Sequence, residues 1–123
     1  MPRVEVLYFQ EDERIVPLID WLDGVPAKAQ RKCQARLQRL EEFGHELRRP
    51  EADYLRDDIY ELRASYQGIH YRMLYFFYGR TAVVVSHGVV KERNVPPREI
   101  DLALKRKRAF EADPRKHAFR GGN

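Results

Sequence analysis

Apolar positions recur along this chain with two different periods, and the change between them marks its elements. Val4, Val6, Tyr8 and their neighbours are dominated by β-branched and aromatic types, the signature of an opening strand of about six residues. Over Asp12–Asp23 the spacing becomes helical, with Ile15, Leu18, Ile19 and Leu22 on one side. Pro17 marks where the regular helix starts and Gly24 where it closes. Pro26 opens a second helix in which Ala29, Cys33, Leu37, Leu40 and Phe43 form one stripe. Gly44 follows as a left-handed cap. Lys28, Arg31, Lys32, Arg36 and Arg39 fall between the stripe positions and predict a solvated basic face.

After a loop around His45–Asp53 the period drops to two. Ile59–Ser65, Ile69–Tyr78 and Thr81–Lys91 are expected as three strands, joined at Gln67-Gly68 and Gly79-Arg80 by antiparallel hairpins. Asp57-Asp58, just before the first of these, has the character of a turn. Asn94-Val95-Pro96-Pro97 stops the last strand. Arg98–Asp113 returns to helical spacing and ends before Pro114. The expected order is β-α-α-β-β-β-α: an α+β fold with a twisted antiparallel sheet and helices packed on one face. Residues 1–114 are expected to form one domain and 115–123 a basic, flexible tail.

Charge changes this picture. The 123 residues carry a net charge of only +4, but it is unevenly placed. Residues 1–62 hold 10 basic and 14 acidic side chains, whereas residues 63–123 hold 13 and 5. A basic second half points to a polyanion, nucleic acid first, unless the fold neutralises itself. The lone cysteine, Cys33, excludes an internal disulfide and paired-cysteine zinc sites. The first ten residues do not resemble a signal peptide, and the longest apolar run, Met73–Tyr78, is far short of the roughly 20 residues that span a membrane. A cytoplasmic protein without membrane association is expected. The four histidines (45, 70, 87 and 117) form no helical metal pair, and neither a serine elbow nor a glycine-rich phosphate loop is present. No metal and no cofactor are expected.

Strand parity then selects side chains. Glu61, Arg63 and Ser65 share a face with Ile59, and His70 and Arg72 share one with Leu74 and Phe76. His87 and Lys91 are expected beside Val83, Val85 and Val89. If those faces coincide, a basic patch edged by Tyr66, Tyr71 and Tyr75 results, which suits single-stranded RNA. The alternative is that each arginine is solvated or bridged to a carboxylate such as Glu61. Lys105-Arg106-Lys107-Arg108 has two readings as well: a helix end that complements the macrodipole, or a phosphate-tracking surface.

Leu55-Arg56-Asp57-Asp58-Ile59-Tyr60-Glu61-Leu62-Arg63, Tyr71-Arg72-Met73-Leu74-Tyr75-Phe76-Phe77, His87-Gly88-Val89-Val90-Lys91 and Pro97 with Glu99-Ile100 and Ala103 occur in an order that resembles the RelE/ParE toxin superfamily. Within it the chain is most similar to the phage-derived HigB-like branch. Phe43-Gly44 and Pro50 fall where that branch ends a helix and forms a loop. The resemblance covers roughly residues 4–113. It implies a type II toxin with a RelE-like fold, a ribosome-dependent mRNA endonuclease (an mRNA interferase) that inhibits translation and arrests growth. A helix-turn-helix antitoxin would neutralise it, and the pair would bind operator DNA. Arg63, Arg72, His87 and Lys91 take the catalytic positions, with Arg63 and Arg72 on the phosphate, Lys91 on developing charge and His87 in proton transfer. Lys105, Arg106, Arg108 and Tyr71 are the expected RNA contacts. Glu92 departs from the pattern, since relatives often place a second lysine there. Two other functions fit the same fold: a ParE-like toxin that poisons gyrase, and a non-catalytic partner in a DNA-binding repressor complex.

Overall fold

Two apolar stripes with different partners organise the computed structural model, which describes residues 3–90 and 93–120. Strand β1 (Glu5–Phe9) leads into helices α1 (Pro17–Asp23) and α2 (Ala27–Phe43). Then come β2 (Ala52–Arg56), β3 (Ile59–Tyr66), β4 (Ile69–Tyr78) and β5 (Ala82–Val90). Helix α3 (Pro97–Ala112), a single turn α4 (Pro114–His117) and a two-residue strand β6 (Ala118–Phe119) complete the fold. The sheet is six-stranded in the order β2-β3-β4-β5-β1-β6, antiparallel except where β1 runs parallel to β5. This is a mixed α+β architecture of RelE-like type. Among the described residues no helix is long and apolar enough to cross a membrane.

The stripe of α2 buries Ala29, Cys33, Leu37 and Leu40 against Leu62, Ala64, Tyr71, Met73, Val83 and Val85 of the sheet. Each fully buried leucine contributes roughly 1.5–3 kcal/mol, so this contact alone anchors the helix. Gly44 ends α2 at φ 51°, and a Cβ there would come within 2.8 Å of the Val4 side chain, so the position needs glycine twice over. The basic side of α2 is not wholly solvated as expected. Arg36 and Arg39 both bond the Glu51 carboxylate, at 2.7 and 2.8 Å, and tie the helix to the approach of β2. The Arg39 hydrogen bond, the largest cause, holds the Glu51 carboxyl below the usual carboxylate range.

Three expectations are corrected. Helices cover both faces of the sheet, not one: α3 buries Ile100, Ala103 and Phe110 against Leu7, Phe9, Ile59, Leu74, Phe76 and Val84. The continuous apolar runs Leu74-Tyr75-Phe76 and Val83-Val84-Val85 are strands buried on both sides. A further strand, β2, precedes the meander, and Asp57 and Asp58, both at positive φ, form the two-residue turn that joins it to β3. Residues 115–120, expected as a loose tail, are built into the fold. His117 stacks on Phe9 at 4.9 Å, Phe119 pairs with Tyr8, and Arg120 bonds Glu5 at 2.8 Å.

Candidate functional site

Antiparallel register sets Arg63 directly opposite Arg72, and Ser65 opposite His70. All four share the face that carries α3, but they lie near the Gln67-Gly68 turn, where polar side chains replace apolar ones. Like charges facing each other across two strands repel. A third residue on this face, Glu61, resolves the conflict. Only 1% exposed, it accepts 2.8 Å hydrogen bonds from Arg63 Nε on one oxygen and from an Arg72 terminal nitrogen on the other. Asp53 on β2 extends the string, accepting from Arg63 at 3.3 Å and from Arg49 at 2.9 Å. Three cations and two carboxylates therefore alternate from the sheet edge inwards. The Arg63 side chain is 35% exposed and that of Arg72 14%. Buried Arg72 Nε finds no acceptor among the described residues.

His87 reaches the same face by a route that simple alternation misses. Leu74 pairs with His87 but Tyr75 pairs with Val85, which leaves Ser86 as an extra residue. This bulge reverses the parity of β5. Val83 and Val85 face α2, whereas Val89 faces the α3 side, and His87 goes with Val89. The expectation that His87 lies beside Val83 and Val85 is thus corrected, and the correction brings it onto the arginine face. Its ring is fully engaged there: Nδ1 lies 2.7 Å from the Ser86 hydroxyl and Nε2 lies 3.0 Å from the Glu99 carboxylate. Burial, the largest cause, and the nearby Arg106 charge lower its pKa, while the Glu99 contact opposes them. Ser86, His87 and Glu99 follow the order of a hydrolytic triad, yet Ser86 is 0% exposed and no substrate carbonyl can meet it. The cluster fastens the first turn of α3 to the bulge.

The expected RNA contacts scatter. Tyr71 is buried on the opposite face, edge-on to Trp21 at 6.2 Å, and Tyr75 is buried there as well. Tyr71 therefore cannot stack on a base. In the Lys105–Arg108 run, four consecutive residues point around α3. Arg106 turns inward to bond Glu11 at 2.6 Å, Lys107 bonds Glu111 at 3.0 Å, and Lys105 and Arg108 face solvent. The run ends one turn before the end of the helix, so it neither complements the dipole at the last turn nor forms one phosphate surface. Lys91 and Glu92 lie outside the described residues. Among the described residues no three His, Cys, Asp or Glu side chains gather as metal ligands would.

Sequence reasoning missed Asp53, Arg49 and Glu99 as partners of the site. The signal for Asp53 was present in the Asp57-Asp58 turn, since a hairpin turn requires a strand on each side.

A six-stranded, mostly antiparallel sheet with two helices on one face and one on the other, and a cross-strand arginine pair at its open end, defines a RelE-like α+β protein. Residues 20–108 match the family described as phage-derived protein Gp49-like, and the chain belongs to that family. The family is part of the wider RelE/HigB-type group and is associated with toxins of toxin–antitoxin systems, which work against an antitoxin partner. No curated protein matches the chain.

Proposed function

We propose that the protein is the HigB-like toxin of a type II pair and that it arrests translation by cutting mRNA on the ribosome. The observation that carries this reading is the Arg63/Arg72 pair, two guanidiniums set side by side by strand register on an open sheet end. In the proposed step the ribose 2′-oxygen attacks the adjacent phosphorus and the bond to the 5′-oxygen breaks. The products are a 2′,3′-cyclic phosphate and a 5′-hydroxyl. One proton leaves the 2′-oxygen and one is delivered to the departing 5′-oxygen. Arg63 and Arg72 neutralise the charge that grows on the phosphorus oxygens, and Lys91 takes part through the family resemblance.

Proton transfer falls to His70 rather than His87 on this reading. His70 is exposed, two residues from Arg72 on the same strand and face, whereas both His87 nitrogens are occupied. The ribosome holds the message in place at a site whose own attraction for RNA is weak, so activity on naked RNA is expected to be weak. The helix-turn-helix antitoxin, and operator DNA reached through it, are the expected partners.

The test is induction of the chain in cells without antitoxin, with growth, amino-acid incorporation and 5′-hydroxyl ends of ribosome-bound mRNA followed together. Arg63→Ala, at a half-exposed position that tolerates truncation, should lower cutting by about 10²–10³-fold. Wild-type cells with intact messages would refute the nuclease, and equal cutting by Arg63→Ala would remove the arginine pair as its catalytic feature. Relaxed plasmid DNA in growth-arrested cells with intact messages would indicate gyrase instead.

A further inference from the structure

On the α2 side of the sheet, the chain after α2 and the edge strand β2 enclose a cavity of about 470 Å³ lined by His45, Arg48, Arg49, Asp53, Tyr54 and Tyr60. Its walls are aromatic rings fixed from behind. Tyr60 stacks on buried Tyr75 at 5.4 Å, and exposed His45 stacks on Phe77 at 3.8 Å. Tyr54 meets Tyr60 edge-on at 5.1 Å yet remains 50% exposed, an unusual surplus of ring surface on an edge strand. Arg48 and Arg49 are exposed at the rim, and Arg48 donates a 2.6 Å hydrogen bond to the His45 carbonyl.

Flat rings with a free face, flanked by cations, match an unpaired nucleotide: the base stacks and the phosphate meets the arginines. An acidic protein segment would use the arginines but not the ring faces. The cavity is also connected to the arginine pair. Asp53, at its rim, bonds both Arg49 at 2.9 Å and Arg63 at 3.3 Å, so one line of charge runs around the β2 edge from the cavity to the open sheet end.

We propose that this cavity is a base-binding subsite, which holds an unpaired base of a single-stranded RNA whose backbone passes over the β2 edge to Arg63 and Arg72. The subsite deepens the nuclease reading and rests on RNA being the ligand. Tyr54 is the stacking platform, and Arg48 and Arg49 are the phosphate contacts.

The probe is a short, end-labelled oligoribonucleotide with every 2′-hydroxyl methylated, which can bind but cannot be cut. Its affinity for the full chain is read by fluorescence anisotropy over a range of salt. Tyr54→Ala should weaken binding by roughly 5- to 100-fold, the range that loss of one aromatic–base stack gives. Tyr54→Phe, which keeps the ring, should stay within about twofold, since its lost hydroxyl only accepts from the Asp58 amide. Replacing both Arg48 and Arg49 by Gln should flatten the salt dependence by roughly 0.7 per cation removed. Absence of binding by the wild-type chain, or Tyr54→Ala within about twofold of it, overturns the subsite. If Tyr54→Ala instead weakens only a protein partner's binding, the cavity is a protein-docking site and the proposal falls.

The two proposals fail separately. Tyr54-dependent binding in a chain that cuts no message keeps the subsite and removes the nuclease. Cutting with Tyr54-independent binding does the reverse.

Discussion

Glu61→Gln tests the central feature of the site, a buried carboxylate shared by two arginines. The substitution keeps size and one acceptor oxygen but removes the charge and turns an amide NH₂ towards a guanidinium. Arg72, 14% exposed, is then left largely buried without a counter-charge. Breaking a buried ion pair from one side costs roughly 3–5 kcal/mol. The Arg63 contact, with 35% of that side chain in water, adds at most about 1 kcal/mol. The acceptor oxygen that remains favours the lower end, about 3 kcal/mol in all. Roughly 3–5 °C per kcal/mol for a domain of this length puts the fall in Tm near 10 °C.

Thermal unfolding followed by circular dichroism reads this directly, and the urea midpoint at unchanged slope checks it. A double replacement, Glu61→Leu with Arg72→Met, should recover most of the loss, because apolar side chains of similar size carry no desolvation cost. RNA affinity should move the other way. Removing a carboxylate beside Arg63 leaves its charge less neutralised, so folded Glu61→Gln should bind the methylated oligonucleotide more tightly and with a steeper salt dependence. A fall in Tm below about 3 °C, or a double variant no better than the single, would refute the account of Glu61.

Three further outcomes follow from the packing. Gly88 lies against the Trp21 ring, and a Cβ built there would overlap it, so Gly88→Ala should cost about 1–3 kcal/mol and lower the urea midpoint, with Gly88→Ala/Trp21→Leu partly restored. Burial pushes the Cys33 thiol up to about 11, so a thiol reagent at pH 8 should leave the native chain unlabelled and react as it unfolds in urea; prompt native labelling would contradict the burial. His87 has its pKa lowered by burial and Arg106, against Glu99, so the unfolded chain takes up that proton first as pH falls. Stability from this group is therefore complete above about pH 6.5 and is lost below it. Tm of the wild type should drop more between pH 7.5 and 5.5 than that of His87→Gln, and an equal drop would show the imidazole to be uninvolved.

The sequence made some of this legible and concealed the rest for physical reasons. The α2 stripe was readable because Ala29, Cys33, Leu37 and Leu40 repeat at the helix period and all four are buried. The two strands carrying Arg63 and Arg72 were readable, but whether their faces coincide was left open; the two-residue turn fixes the register that sets the two arginines opposite each other. Strand β2 was not readable by alternation, because Ala52–Arg56 is an edge segment with a single buried position. The bulge at Ser86 was invisible for a different reason. No local residue code demands an extra residue there; it coincides with the contact of the next residue, His87, to Glu99, twelve positions further on. Period-two reasoning therefore placed His87 on the wrong face.

The buried carboxylate decides what kind of site this is. Open basic patches attract phosphate at long range but hold it loosely. Here the local charge of Arg49, Asp53, Arg63, Glu61 and Arg72 sums to a single positive unit, and the guanidiniums are fixed by hydrogen bonds before any ligand arrives. Such a clamp gives little long-range attraction, because the carboxylates cancel most of the field. It retains directed N–H donors at fixed positions, since a guanidinium has five and only some are spent on Glu61 and Asp53. On the proposed reading the weak attraction and strong positioning belong together. Free RNA held at the Tyr54 cavity would seldom seat a phosphate on the arginine pair, whereas an mRNA already held on the ribosome would meet donors in place for one phosphate. Selectivity for the translated message then comes from too little charge rather than too much.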